Sequence, residues 1–477
     1  MDALLINPNP GGEGLNEATI EPPLGLGYLA ATLEKHHFSC AIIDANLLKL
    51  SENEIINNIP DDIKIIGLYC NSFSFDSVKQ LCSTIKDKRK DALILIGGPL
   101  PSVTPETVLR EIGCHGVIRG EGEFSLLKIA QNIRDSQEPF QGNISGLAYI
   151  SKNGTIISNP VERITDLDSL PFPAIHLMPP LKLYKTRSRK RPICAIITSR
   201  GCAFGCSFCS KDIFQRKVTF RSAENVLSEI DYLVNTLGVR QIDVMDDNFA
   251  GKKSRMSDIL DGLIERNYDL VINLQSGIRA ENIDDEMLIR MKKAGVYKIA
   301  FGIESADEKV LKFHNKKLDL QKVEDVVAKS KKLGFVIYGF FIIGLPGETE
   351  EAFNKTIAFV KRLDFDVANF GMAIPFIGTE LYRMVEKDGH FLVDTRRDIA
   401  SGFYDGKVFF EYGDATEAVV SLRYRKAYKE IYTIWKQIKI ILKIRSVHEL
   451  VWLKDAILFV LRGMLKGPIR LLKGQKQ

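Results

Sequence analysis

Over the first 136 residues, short runs of consecutive apolar positions alternate with longer stretches of helical spacing. The apolar runs are Ala3 to Ile6, Cys40 to Ile43, Ile65 to Tyr69, Ala92 to Ile96 and Gly116 to Arg119, and the helical stretches include Gly25 to Lys35 and Phe75 to Lys88. Strands that are apolar throughout are buried on both faces, which predicts a parallel sheet covered by helices on either side, a doubly wound, Rossmann-like α/β domain. Such sheets receive ligands beyond the carboxyl ends of their strands. Those ends carry Asn7-Pro8, Asn71-Ser72, Gly97-Gly98-Pro99 and Gly120-Glu121-Gly122-Glu123, polar or flexible residues suited to close backbone approach.

The pattern changes between 137 and 192. Ser145 to Ile157 alternates as a hairpin about Asn153-Gly154, prolines at 171, 173, 179 and 180 interrupt regular structure, and a basic stretch from Lys182 to Arg191 follows. A linker with minor structure of its own is expected. A second strand-helix series then runs through Ile193 to Thr198, Gln241 to Met245, Leu270 to Leu274, Tyr297 to Ile303, Val336 to Ile343 and Val367 to Ile374. Six strands with five helices between them fit a second open sheet or a partial TIM-like barrel of six (β/α) units, and in either the chemistry belongs to the loops after the strands. The expected divisions are 1–136, 137–192, 193–380 and 381–477. The last is mainly helical and basic, with Trp435, Ile438, Leu442, Leu450, Leu453, Ile457, Val460 and Leu461 at amphipathic spacing.

Composition narrows the classes of function. The 477 residues are 45% hydrophobic and 26% charged, with a mean hydropathy of −0.03, which excludes disordered and collagen-like chains. No apolar run approaches the ~20 residues that cross a bilayer, and Met1 to Pro8 carries neither a basic region nor a cleavage site, so a cytoplasmic chain is expected. From Leu422 onward there are fourteen basic residues against three acidic ones, a net +11 in a chain whose total is +5. The body is thus slightly acidic and gives no case for nucleic-acid binding, whereas the basic end region suits peripheral contact with an anionic membrane surface or another polyanion.

Of the eight cysteines, Cys40, Cys70, Cys82, Cys114 and Cys194 stand singly, mostly in or beside apolar runs, and are read as reduced packing thiols. Cys202, Cys206 and Cys209 stand together in the loop after the first strand of the second series, spaced C-x3-C-x2-C. A structural zinc takes four ligands, and no fourth Cys or His lies in this loop. Three thiolates on a [4Fe–4S] cluster leave one iron free to bind a ligand.

At these residues the chain resembles the radical S-adenosylmethionine (SAM) superfamily, and the likeness runs from 193 to about 380. The resemblance implies that Cys202, Cys206 and Cys209 hold the cluster and that the open iron chelates SAM, whose reductive cleavage gives a 5′-deoxyadenosyl radical. Further segments match in order. Asp246-Asp247 ends the second strand where the family holds the SAM amine, and Gln275 to Arg279 ends the third, with Arg279 suited to the SAM carboxylate. Glu304-Ser305 ends the fourth where the ribose hydroxyls are held, and Phe341 to Glu348, including Gly344, resembles the segment beside adenine; Phe208 belongs to the cysteine loop itself.

The front domain resembles the cobalamin-binding domain of the cobalamin-dependent radical SAM class, on Pro22 to Ala31, Ile96 to Pro99 and Arg119 to Glu123. The resemblance implies cobalamin contacts from Asn7, Ser72, Gly97, Gly98, Pro99, Ser102, Gly120, Glu121 and Gly122. The Asp-x-His-x-x-Gly run of cobalamin mutases does not occur, so cobalt is expected to lack a histidine ligand. Together these features imply a methyltransferase acting on an unactivated carbon through the deoxyadenosyl radical and methylcobalamin, reduced by an external flavodoxin- or ferredoxin-like donor. One alternative is a radical cyclase, oxidase or rearrangement enzyme with cobalamin in a redox or structural part; another, from a different class, is a cobalamin-sensing or electron-carrying module. The apolar and aromatic content of Pro375 to Tyr382 favours a small-molecule substrate that is lipid-like or polycyclic.

Overall fold

A computed structural model describes residues 1–10, 20–184, 186–210, 213–395, 399 and 407–450. The first series of strands comprises β1 (Ala3–Asn7), β2 (Cys40–Asp44), β3 (Ile65–Tyr69), β4 (Leu93–Gly97) and β5 (Gly116–Ile118). They pair in parallel in the order β2-β1-β3-β4-β5. Alternate side chains go to opposite cores, as a pleated strand dictates. Leu4, Ile6, Ile66, Leu68, Ile94 and Ile96 pack under the helix Phe75–Lys88, whereas Ala3, Leu5, Ile65 and Leu95 pack with the helices Leu24–Lys35 and Glu123–Arg134. The strand order reverses between β1 and β3, the place where doubly wound sheets open a ligand crevice.

The segment expected to be a linker is part of this domain. Its hairpin, β6 (Leu147–Ile150) and β7 (Ile156–Ser158), adds two antiparallel strands to the edge of β5, with Val117 opposite Ala148. The chain from Leu167 to Met178 is a strap across the helix Leu24–Lys35: Ala174 N donates to Gly27 O at 3.0 Å. A Cβ on Gly27 would lie 2.6 Å from the Met178 methyl, so that glycine serves the strap.

The second sheet is made of β8 (Ile193–Ile196), β11 (Gln241–Val244), β12 (Val271–Ile278), β13 (Val296–Glu304), β14 (Val336–Ile343) and β15 (Val367–Met372), all parallel and neighbours in chain order. A short antiparallel pair, β9 (Ser199–Arg200) and β10 (Thr219–Phe220), lies between the first two. Consecutive pairing with helices on one side is the topology of a partial barrel. Ile242, Leu274, Ile299, Phe301 and Ile337 meet Ile230, Ile259, Val326 and Ile357 of the covering helices. Ser222, Asp284, Asp319 and Thr349 cap those helices through side-chain oxygens. The other face is polar at its floor. Asp243 accepts from Gln241 Nε2 at 2.8 Å and from Thr186 Oγ1 at 3.1 Å, and burial lowers the Lys298 ammonium to about 8.

The edge strand β15 is covered by the helix Glu417–Ile431 and the turn after it. Tyr428 and Tyr432 donate their hydroxyls to the Phe370 and Ala368 carbonyls at 3.1 and 2.8 Å. The next helix, Ile434–Leu442, is tied to the turn before β15 by lysines: Lys436 and Lys439 pair with Asp364, and Lys443, just past its end, with Asp366. Ile434, Trp435 and Leu442 are exposed. The expected amphipathic positions Leu453, Ile457, Val460 and Leu461 lie outside the described residues. Among the described residues no helix is long and apolar enough to cross a membrane.

Candidate active site

The cysteine loop leaves β8 and is pinned at its root by the β9–β10 pair. Gly201 has φ +91°, and a Cβ there would lie 2.1 Å from Lys217 O, so only glycine fits. Asn315 Nδ2 donates to Gly205 O at 3.2 Å. Cys206 is buried, Cys202 half-buried and Cys209 exposed. Among the described residues no three Cys, His, Asp or Glu side chains converge as a single ion would require. A cubane cluster does not ask for convergence, because each cysteine meets a different iron. Burial pushes the Cys206 thiol up, while the cations of Lys316 and Arg279 act the other way and favour thiolate. An anionic cluster with one unligated corner therefore suits this loop. Of the single cysteines, Cys70, Cys82, Cys114 and Cys194 are buried, and burial raises Cys70 to about 12.

The two aspartates after β11 differ in kind. Asp246 is buried and accepts from Thr198 N (2.6 Å), Thr198 Oγ1 (2.5 Å) and Ser199 Oγ (2.6 Å). Both of its oxygens are engaged in shaping the exit from β8. Asp247 is exposed, and among the described residues its Oδ2 accepts from Gly201 N at 2.8 Å. It is the carboxylate of the pair that faces outward beside the cysteines.

Arg279 stacks on Phe204 of the cysteine loop, its guanidinium carbon 3.6 Å from the ring centre. One edge donates to Glu281 at 2.6 Å, and its buried Nε has no partner among the described residues. Gln275 donates to Glu21 Oε1 at 2.7 Å, which brings a front-domain carboxylate to the second sheet. Glu304 sits at φ +68°, a strained position for a residue with a side chain, and accepts from the buried Lys316 at 3.0 Å. Ser305 does not share that position. The kink at Glu304 turns its side chain inward, where it accepts from Asp307 N at 3.2 Å beneath Thr356. Gly344, at φ +82°, packs against Val420 and donates to Glu348 Oε1 at 3.3 Å. Phe208 packs against the cluster that contains Val310, Leu345 and Leu381, with its ring centre 6.2 Å from that of His314.

In the front domain the expected ligand residues divide. Asn7 Nδ2 donates to Asp44 at 2.8 Å. Gly98, φ +120°, allows the close approach of Cys70 O, which a Cβ would meet at 2.5 Å, while Gly97 has ordinary clearance. Pro99 opens the short helix that contains Ser102. Ser102 donates to Gly98 O and accepts from Gly120 N, at 2.8 and 3.0 Å, and lines a cavity. Ser72 lies in the turn after β3, half-buried. Gly120 makes room for Val161, and Gly122 precedes the helix Glu123–Arg134. Glu121 is a correction. It is buried and accepts from Arg163 (2.8 Å), Ile164 N (3.0 Å) and Arg200 (2.8 Å), while Glu123 holds the other arm of Arg200 at 2.7 Å. The carboxyl ends of the two sheets face each other, so this carboxylate clasps the domains and is not free for a cofactor.

A cavity of about 630 Å³ lies between the domains, lined by Ser102 and Arg119 on one side and by Cys209, Arg216, Glu380 and Arg383 on the other. Among the described residues no histidine lines it. A crevice at strand ends that reaches the exposed cysteine has the place and the size to hold cobalamin beside the cysteine loop. Of the apolar residues after β15, Ile377 packs on the front-domain core and Phe376 against the cluster that contains Leu345, Leu381 and Phe409.

Glu21, Lys316, Arg216 and Arg383 are site residues that the sequence reading did not name. None belongs to a spaced motif, and only the proximity of Glu21 to the Pro22–Ala31 stretch was a signal.

The radical SAM superfamily model matches residues 196–360 and the B12 binding domain model residues 15–130. An uncharacterized methyltransferase of Pyrococcus horikoshii is 33% identical over 368 residues, 76% of this chain and 78% of that one. Cytidylyl-2-hydroxyethylphosphonate methyltransferase of Streptomyces wedmorensis is 26% identical over 423 residues, 77% and 78% of the two chains. The fold is shared with OxsB, a cobalamin-dependent SAM radical enzyme solved with aqua-cobalamin and SAM, at a TM-score of 0.73, 19% identity, and coverage of 96% and 70%. With the cysteine loop, the two sheets and these likenesses in agreement, the chain belongs to the cobalamin-dependent radical SAM family, enzymes that use a [4Fe–4S] cluster, SAM and cobalamin.

Proposed function

We propose that the protein is a methyltransferase that acts on an unactivated carbon of a small molecule, with residues 193–380 holding the cluster and SAM and residues 1–136 holding cobalamin. When bound, the cluster and SAM supply a radical that removes hydrogen from carbon, and cobalamin supplies the methyl carrier. The chain's own residues do the rest. Cys202, Cys206 and Cys209 hold the iron and Asp247 and Arg279 offer opposite charges to an amino acid moiety. Glu304, steadied by Lys316, presents its second oxygen to hydroxyl groups. The observation that carries this reading is the shared cavity: Cys209 and the β4–β5 ends of the front domain wall one space, so two cofactors can serve one substrate.

The test is product analysis of anaerobically reconstituted, cobalamin-loaded protein with SAM and reductant. S-adenosylhomocysteine stoichiometric with cobalamin in the absence of substrate, and both this product and 5′-deoxyadenosine in its presence, support methyl transfer. Deoxyadenosine without S-adenosylhomocysteine supports the cyclase, oxidase or rearrangement alternative. Uptake of cobalamin without SAM binding would leave the sensing or electron-carrying module.

The electron donor in this proposal is an external flavodoxin- or ferredoxin-like protein. The exposed Ile434, Trp435 and Leu442, followed by a basic stretch, favour peripheral contact of a cytoplasmic chain with an anionic surface. Co-sedimentation with vesicles containing phosphatidylserine tests this, and a Trp435→Ser variant that sediments like the parent would refute it.

A further inference from the structure

The turn His314-Asn315-Lys316 touches the site at three places in succession. Lys316 holds Glu304 at 3.0 Å, Asn315 holds Gly205 O at 3.2 Å, and His314 holds Ser207, the residue after the second cysteine. Ser207 N donates to His314 O at 3.0 Å, and its hydroxyl lies 2.5 Å from His314 Nδ1. On the far side of the ring, His314 Nε2 is 2.8 Å from Pro346 O. A carbonyl only accepts, so Nε2 carries the proton and Nδ1 accepts from the Ser207 hydroxyl. His314 and Ser207 are each 1% exposed.

Two more contacts extend this line. Ser207 O accepts from Leu381 N at 2.9 Å, which ties the cysteine turn to the segment after β15. Beyond Pro346, Glu348 accepts from Gly344 N at 3.3 Å and is held by Arg423, which donates to its backbone oxygen at 2.9 Å. Asn315 takes up φ +52°, the left-handed conformation that lets three neighbouring side chains diverge to three targets.

We propose that His314 is a positioning residue that locks the Cys206–Cys209 turn against the Gly344–Glu348 segment, so that the open corner of the cluster and the segment beside the SAM nucleotide keep one fixed register. The proposal rests on reading the cysteine loop as the cluster site. Both ring nitrogens of His314 are taken up within the protein, by Ser207 and Pro346. It acts through Ser207 on one side and Pro346 on the other, in the manner of groups that orient metal ligands from outside the coordination sphere.

The experiment compares His314→Ala, His314→Gln and Ser207→Ala with the parent, each reconstituted anaerobically. Iron and sulfide are counted, SAM is titrated while the electron paramagnetic resonance spectrum of the reduced cluster is followed, and KM and kcat for SAM cleavage under dithionite are measured. Ser207→Ala keeps the backbone bonds, so it should retain its iron, yet bind SAM about tenfold more weakly and show a smaller SAM-induced spectral change. His314→Ala should be worse, about tenfold to a hundredfold in KM, and His314→Gln, which can still donate toward Pro346 O, should recover part of the loss. Parental KM and parental spectra in both Ser207→Ala and His314→Ala would overturn the proposal. So would a His314→Gln variant as defective as His314→Ala in a protein that keeps its iron. A parent with no cluster at all would instead sink the functional reading beneath it.

Discussion

Glu121, just past β5 of the front domain, and Arg200, at the root of the cysteine loop, form a buried ion pair at 2.8 Å that fastens the cobalamin side of the molecule to the cluster side. Arg200 also takes Glu123 at 2.7 Å and stacks on Tyr28, its guanidinium carbon 5.0 Å from the ring centre, so every partner of its guanidinium named here belongs to the first domain. The two carboxylates raise the guanidinium's proton affinity against the effect of burial.

Breaking this clasp should cost far more than breaking a surface pair. Glu121→Ala leaves Arg163, Ile164 N and one arm of Arg200 buried without their acceptor, a loss of about 3 kcal/mol or more. The half-exposed pair of His176 with Glu34, 3.1 Å apart, is the control, and Glu34→Gln should change stability by less than about 1 kcal/mol. Urea midpoints of the two variants against the parent check the difference; equal shifts would mean that the clasp carries no special weight.

Gly201→Ala tests whether the cysteine loop tolerates any side chain at its root. The added methyl meets Lys217 O at 2.1 Å on a backbone held at φ +91°, so the loop must move. Gly142, at φ +86° with nothing within 4 Å, separates the clash from the strain alone. Reconstituted Gly201→Ala should hold well under half of the parental iron, whereas Gly142→Ala should hold all of it. Iron analysis with circular dichroism, to confirm retained secondary structure, decides the matter.

Glu348 makes stability depend on pH. Burial raises its carboxyl to about 7, Arg423 opposing. A carboxyl whose folded value lies above its unfolded one keeps a proton in the native state that the unfolded chain has released. Its stabilising contribution is therefore complete below about 4.5 and is lost as pH rises through about 7. Glu348→Gln cannot titrate and can still accept from Gly344 N. The parent should lose on the order of 3 kcal/mol more than Glu348→Gln between pH 5 and pH 8. Urea midpoints at the two pH values supply the comparison, and parallel losses would place the titration elsewhere.

What the sequence disclosed follows from which signals are local. Continuous apolar runs placed the strands, and Ile65–Tyr69 and Val336–Ile343 fall where the runs put them, because neither run is broken by a charged residue. The end of β12 was missed. Gln275-Ser276-Gly277 continues the strand to Ile278 through an irregular register with β13, with Gly277 at φ +90°, and polar residues in a bulge do not look like strand. The cysteine loop was legible because its three cysteines lie within eight residues. The roles of Glu121 and Glu21 were not, since each is decided by a partner far away in the chain, Arg200 at a separation of 79 and Gln275 at 254. Nothing local distinguishes a carboxylate that will meet a ligand from one that will meet an arginine.

Asp246 and Asp247 are chain neighbours with opposite duties, and a pair of isosteric substitutions separates them. Asp246 accepts three hydrogen bonds from Thr198 and Ser199 in a buried setting. An amide there sets an N–H group against existing donors, so Asp246→Asn should disturb the exit from β8 and with it the cysteine loop, losing iron and SAM binding together. Asp247→Asn keeps an oxygen for Gly201 N, and the exposed position carries no such conflict. It should keep its iron and lose only the charge offered to the SAM amine, a weakening of about tenfold, equivalent to about 1.4 kcal/mol. Iron content read beside SAM titration distinguishes the two. If Asp246→Asn kept its cluster and alone lost SAM affinity, the assignment would have to be reversed, and the hydrogen bonds to Thr198 and Ser199 would belong to a resting arrangement that SAM displaces.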